Sequence, residues 1–162
     1  MQLTRFAQSA SDKMAYVAVA KALYDYEPQA SDELKLLEDV GLYIVDASDP
    51  EWWKAKIRPN VSPTTGQVIS FPSELKSEEG KVGLVPANYV EEAEPIRLSR
   101  ALYDYEAQNQ DELSIQEDEL LRVYELEGEW LLVKKQGTDE LGTGTGKIGF
   151  VPANYVDEVR FS

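Results

Sequence analysis

The chain repeats itself, and the repeat leaves few folds open to it. "KALYDYEPQASDEL" runs from Lys21 to Leu34, and "RALYDYEAQNQDEL" runs from Arg100 to Leu113. "GLVPANYVEE" at Gly83–Glu92 returns as "GFVPANYVDE" at Gly149–Glu158. Between the two phrases each half carries an acid followed by tryptophan, "EWW" at Trp52 and "EWL" at Trp130. The offsets shrink along the chain: 79 from Tyr24 to Tyr103, 78 from Trp52 to Trp130 and 66 from Pro86 to Pro152. One residue is lost before the tryptophan and twelve more after it. Loops absorb such changes at small entropic cost, so the halves read as two domains of one architecture with different loops. A length of 162 residues has room for two small domains.

Local pattern predicts strands. "LKLL" and "LSIQ" follow the acidic turns, then come "LYIVDA" and "LLRVYE", then "WWKAKI" and "WLLVKK". All are short, rich in Leu, Val, Ile, Tyr and Trp, and broken by Gly, Pro, Asp and Asn. No window keeps a helical period over three turns. Alternation puts Leu34 with Leu36, and Leu113 with Ile115, on inward faces. Ala22, Ala55, Val85 and Val90 are further core candidates, matched by Ala101, Val133, Val151 and Val156. Gly41 stands where the second half has Leu120, which predicts a smaller core residue in the first. Residues 58–80 hold three prolines and two glycines and read as a long loop, with a little structure of its own near Val68–Phe71.

Composition excludes several chemistries. There is no cysteine and no histidine, which removes disulfides, thiol nucleophiles, cysteine zinc sites and histidine bases together. Residues 16–94 have 7 Lys/Arg against 15 Asp/Glu, and residues 95–162 have 7 against 14. Both halves are acidic, so nucleic acid and anionic lipid surfaces are poor partners and basic peptides good ones. No run of about 18 apolar residues exists, so no insertion into a membrane is expected. "GTGTGK" at Gly142–Lys147 lacks the glycine at 141 and the Ser or Thr at 148 that a phosphate loop needs, and reads as a flexible loop. The adjacent carboxylates Asp32/Glu33 and Asp111/Glu112 sit in exposed turns with nothing to split their pKa values, so no catalytic role, cofactor or metal is assigned.

"ALYDY", an acidic run before Leu, a tryptophan and "G-x-V-P-x-N-Y-V", in that order and twice, resemble the SH3 domain. The resemblance covers roughly residues 17–92 and 97–159. It implies an all-β fold of two five-stranded barrels in tandem, each with a short helical turn at "PANY" and each binding proline-rich peptides. The expected organisation is a disordered or appended tail over 1–15, a first domain over 16–92 with its long loop at 58–80, a linker at 93–97 stiffened by Pro95, and a second domain over 98–160. The short linker predicts barrels that touch and hold one mutual orientation. The close pair with long loops is also similar to the N-terminal tandem of fungal actin-patch endocytic adaptors.

Carried onto this chain, the resemblance implies a first groove of Tyr24, Tyr26, Trp52, Pro86, Asn88 and Tyr89. The second would be Tyr103, Tyr105, Trp130, Pro152, Asn154 and Tyr155. These residue types suit a polyproline II ligand, which needs flat apolar ridges edged by hydrogen-bond donors. Glu33 and Glu112, beside Asp32 and Asp111, occupy the position that would receive an Arg or Lys flanking P-x-x-P. Asp49, Glu51, Glu127 and Glu129 add acid on the far side of each tryptophan. Leu131 replaces Trp53 at a position off the groove, and Leu84, where the second copy has Phe150, would weaken the first site. Implied partners are proline-rich proteins with basic flanks, among them WASP-family nucleation-promoting factors and endocytic coat proteins, in cytoplasmic cortical actin patches. Tyr89 and Tyr155 stand where phenylalanine accompanies ubiquitin binding in this family, so ubiquitin is not expected.

Overall fold

Short strands rich in apolar residues build one five-stranded antiparallel sheet from each repeat. The computed structural model describes residues 16–136 and 148–158, so the expectations for residues 1–15 and for "GTGTGK" lie outside the described residues. The first sheet has β1 (Ala18–Ala22), β2 (Gly41–Asp46), β3 (Trp52–Ile57), β6 (Val82–Pro86) and β7 (Val90–Glu92) in the order β6-β3-β2-β1-β7. The second has β8 (Arg97–Ala101), β9 (Leu120–Glu127), β10 (Trp130–Lys135), β11 (Ile148–Pro152) and β12 (Val156–Glu158) in the order β11-β10-β9-β8-β12. The order is the same in both, as the repeated phrases require.

Each sheet encloses its own core. In the first, Ala18, Ala20 and Ala22 of β1 meet Leu42, Ile44, Ala55, Ile57 and Val85, with Leu34 and Leu36 added from the acidic arm. In the second, Ala101, Leu113, Ile115, Leu121, Val123, Leu131, Val133 and Val151 do the same. Val156 is half-buried against that core. Each fully buried Leu, Ile or Val contributes about 1.5–3 kcal/mol. The Gly41/Leu120 expectation is corrected. Both residues start a strand on its outer face, one step out of phase with buried Leu42 and Leu121. Leu120 is exposed, and Gly41 lies under the Arg58 side chain, whose Cδ would be 3.3 Å from an added Cβ.

Residues 58–80 are more ordered than a plain loop. β4 (Asn60–Val61) and β5 (Val68–Ser70) form a two-stranded ribbon, followed by a 3-10 segment at Ser73–Glu78. Leu75 from that segment is fully buried in the first core. Glu78 accepts a 2.8 Å hydrogen bond from the Lys35 backbone N–H, tying the insertion to the acidic arm.

The linker leaves the sheets in contact. The Ala93 N–H donates to the Val19 carbonyl at 2.9 Å and the Ile96 N–H to the Val123 carbonyl at 2.7 Å. Only Glu94 and Pro95 separate a backbone bond to one sheet from a backbone bond to the other. A third apolar cluster spans the junction: Val19 and Tyr43 from the first sheet with Tyr124, Trp130, Leu132, Ile148 and Phe150 from the second. Val19 and Tyr43 are cross-strand partners on the outer face of β1 and β2. Tyr16 stacks on Tyr43 with ring centroids 4.5 Å apart, and bridges to Ile148. The reason is visible in β10: Trp130, Leu131, Leu132 and Val133 are all buried, so this strand is covered on both faces.

Polar groups in the seam are paired across it. Arg58 Nε donates to Glu125 Oε1 at 3.0 Å and its Nη2 to the Tyr124 carbonyl at 2.6 Å. Tyr43 OH lies 2.7 and 2.9 Å from the two Glu125 oxygens. Burial, with the Glu125 charge beside it, pushes the Tyr43 hydroxyl well above its usual pKa. Glu92 of β7 pairs with Arg122 at 3.0 Å and with buried Lys134 at 3.6 Å. The ribbon joins in as well, since the Leu126 N–H donates to the Gly66 carbonyl at 2.8 Å.

Candidate peptide-binding grooves

Strand register brings the repeated phrases together. Trp52 opens β3 opposite Pro86 at the end of β6, and Trp130 opens β10 opposite Pro152 at the end of β11. A 3-10 turn follows each proline, Ala87–Tyr89 and Ala153–Tyr155. The carbonyls of Tyr89 and Tyr155 accept 2.7 Å bonds from the Leu23 and Leu102 N–H groups, which pins each "ALYDY" arm beside its turn.

The outcome is the same aromatic arrangement twice. Tyr24 meets Tyr89 edge-on at 5.2 Å, and Tyr103 meets Tyr155 at 5.3 Å. Tyr26 meets Tyr89 at 5.6 Å and Trp52 at 6.3 Å; Tyr105 meets Tyr155 at 5.7 Å and Trp130 at 6.1 Å. Edge-on rings leave slots between them, and flat apolar walls of that kind can seat prolines. Pro86 and Pro152 are buried, while Asn88 and Asn154 are exposed beside them. Tyr24 and Tyr103 are each 56% exposed, so both tyrosine ends are open.

The acidic arms lie across the sheets. Leu34 and Leu84 exchange backbone bonds with this arm, Leu34 N–H to Leu84 O at 3.0 Å and Leu84 N–H to Asp32 O at 2.8 Å; Leu113, Phe150 and Asp111 repeat the pattern. The glycine of each "GxVPANY" phrase permits this approach. A Cβ on Gly83 would lie 3.0 Å from the Asp32 carbonyl oxygen, and one on Gly149 2.9 Å from the Glu112 backbone.

Asp32 is exposed, but Glu33 turns inward and holds the arm's shape. Its Oε1 accepts Tyr26 OH at 2.6 Å and the Gln29 N–H at 2.8 Å. The Tyr26 bond, then the Gln29 N–H, hold the Glu33 carboxyl below its usual range. The Glu33 bond in turn raises Tyr26 to about 12. Glu112 accepts Tyr105 OH at 2.6 Å and the Gln108 N–H at 2.8 Å in the same way, and Asn109 Nδ2 adds a 2.9 Å bond to its other oxygen. Asp49 accepts the Glu51 and Trp52 N–H groups at 2.8 and 3.0 Å, which hold its carboxyl low and fix the turn into Trp52.

The grooves part company at the tryptophans. Trp52 is half-buried, whereas Trp130 is 4% exposed and belongs to the seam cluster. Asp111 is buried too, unlike exposed Asp32, while Glu33 and Glu112 are buried in both copies. Phe150, expected beside the second groove, lies in the seam. Equivalence of the repeats does not predict this. The signal was the unbroken apolar run "WLLV", against "WWKA" with its outward Lys54 in the first copy. Among the described residues, no cluster of three or more Asp and Glu is set to hold a metal ion.

Comparison with known proteins agrees with this geometry. Residues 21–62 match the SH3 domain family, and residues 101–157 match the variant SH3 domain. The actin cytoskeleton-regulatory complex protein SLA1 of Mycosarcoma maydis is 66% identical over 91% of this chain and 12% of its own length. The SLA1 of Candida albicans is 39% identical over 87% of this chain and 10% of its own. The chain thus spans about a tenth of these relatives. Among solved structures, the SH3 domain of yeast NBP2 shares 28% identity, covering 40% of this chain and 98% of that one at a TM-score of 0.33. Two matched families, each spanning the arm, the tryptophan or the "PANY" turn seen here in duplicate, place this all-β chain in the SH3 domain family, in two copies.

Proposed function

We propose that the chain is a non-catalytic adaptor pair that binds proline-rich P-x-x-P peptides carrying a flanking Arg or Lys. The observation that supports this most is the first groove, where Tyr24, Tyr26, Trp52 and Tyr89 form an edge-on aromatic wall beside Pro86, with exposed Asp32 at its acidic end. An extended polyproline ligand loses little entropy on docking, and a shallow groove with a few anchors gives micromolar affinity, roughly −7 to −8 kcal/mol. The similarity to SLA1 makes actin regulation the setting of this reading: the ligands would be nucleation-promoting factors of the WASP family or endocytic coat proteins at cortical patches. Titration of the whole chain with a basic proline-rich peptide tests it. Trp52→Lys should weaken binding at the first groove about thirty-fold or more, as loss of a central aromatic anchor does. Full affinity in a folded Trp52→Lys chain would overturn the groove assignment.

A second reading, an autoinhibited tandem pair whose grooves bind an intramolecular segment, is favoured by the burial of Trp130. It does not extend to the tyrosine ends, which stay open in both copies.

A further inference from the structure

The two grooves are copies in their aromatic geometry and differ at their acidic ends. Glu33 uses Oε1 for both of its arm bonds, and among the described residues its Oε2 accepts none. Glu112 has spent both oxygens, Oε1 on Tyr105 and Gln108 and Oε2 on Asn109. Asn109 stands where the first copy has Ala30, so this difference is written in the sequence. A guanidinium needs open carboxylate lone pairs and a path between carboxylate and tryptophan. In the first groove Glu33 is 9% exposed with its Oε2 uncommitted among the described residues, and Trp52 is half-buried. In the second, Glu112 is 3% exposed and Trp130 4%, and Trp130 shares its cluster with Val19 and Tyr43 of the first domain.

Resting on the proline-rich reading above, we propose that the closed pair holds two unlike receptors. The first groove takes the proline segment together with its basic flank. The second admits only the proline segment, over Tyr103 and Tyr155, and the seam withholds its acidic end. The pair is then an ordered reader: one site demands Arg or Lys, and the other accepts prolines with any neighbour. A chain with one basic-flanked motif and a plain proline stretch would fill both, gaining from effective concentration.

The test uses the whole chain and two peptides, a proline-rich one with a flanking Arg and the same one with Ala in its place. Backbone amides of Tyr103 and Tyr155 and the indole N–H signals of Trp52 and Trp130 are followed by NMR. The Arg peptide should move the Trp52 indole at least about ten times more tightly than the Ala peptide, matching the value of a charge-assisted pair. Tyr103 and Tyr155 should move with both peptides at similar affinity, and the Trp130 indole with neither. Tyr43→Ala, or Val19→Ser if that chain is not folded, opens the seam from the first domain's outer face and should make Trp130 respond to peptide. A Trp130 indole that responds to the Arg peptide in the unaltered chain overturns the proposal, as does a Trp130 still silent in a folded seam variant. If neither peptide moves any groove signal, the proline-rich reading itself fails, and that outcome is distinct from equal response at both grooves.

Discussion

Tyr26 has two tasks, since its ring meets Trp52 and Tyr89 edge-on while its hydroxyl clamps Glu33. The clamp makes arm geometry depend on pH. Glu33 titrates below its usual 4.5 in the folded chain, so its contribution to stability is complete above 4.5 and is lost as pH falls through the lower folded value. Tyr26 is raised from 10.0 to about 12, so its contribution is complete below 10 and is lost as pH climbs through 12. Between those limits the arm is held. Tyr26→Phe removes the largest cause of the Glu33 shift. The Glu33 carboxyl carbon should then titrate nearer 4.5 by NMR, and the first groove should lose affinity in mildly acid solution sooner than the unaltered chain. An unchanged Glu33 titration would mean the Gln29 N–H alone sets it.

At the level of elements, the ribbon inserted after β3 is a strap as well as a loop. Gly66 turns it at φ +80°, and an added Cβ would lie 2.6 Å from Ile96 Cδ1 and 3.1 Å from the Leu126 nitrogen. Gly80 has nearly the same φ, +81°, with nothing within 4 Å of such a Cβ. The two glycines therefore separate backbone strain from contact. Gly80→Ala should cost about 1–2 kcal/mol for left-handed backbone alone. Gly66→Ala should cost more, by roughly a further 1–2 kcal/mol for the overfilled seam, in chemical denaturation. Equal costs would show that the strap does not bear on the second domain. The same elements show what could be read beforehand. Strands β2, β3, β9 and β10, the inward faces of Leu34, Leu36, Leu113 and Ile115, and the convergence of tyrosine arm, tryptophan and "PANY" follow from alternation and repetition, which are local; "LKLL" and "LSIQ", expected as strands, are instead arm segments whose Leu36 and Ile115 make only isolated bridges to Tyr26 and Tyr105. The ribbon's return to β9 and the burial of Leu75 depend on pairing over long separations, which periodicity does not carry. Analogy with Trp52 places Trp130 in a groove, and its burial depends on which outer face the neighbouring sheet covers.

For the molecule as a whole, the seam must hold together two halves that are each strongly acidic. It does so by setting cations of one half against acids of the other: Arg58 on Glu125, and Arg122 with Lys134 on Glu92. The first of these is buried on both sides and completed by Tyr43 OH. Breaking such a pair costs more than the pair is worth, because the remaining charge stays desolvated. Arg58→Ala should therefore cost about 3–5 kcal/mol, while replacing Arg58 and Glu125 together by Met and Leu should cost much less. The consequence reaches beyond stability. The apolar outer face of β10 and β11, with Leu132, Ile148 and Phe150, packs in one cluster with Val19 and Tyr43 of the first sheet, so docking and folding of the second sheet reinforce each other. The unaltered chain should unfold in one denaturant transition and tumble as one body in NMR relaxation. Arg58→Ala should split the transition in two, with the Trp130 indole reporting the earlier step, and should give the halves separate correlation times. An Arg58→Ala chain that unfolds in one step within about 0.5 kcal/mol of the original would place the cohesion of the pair in its apolar cluster alone.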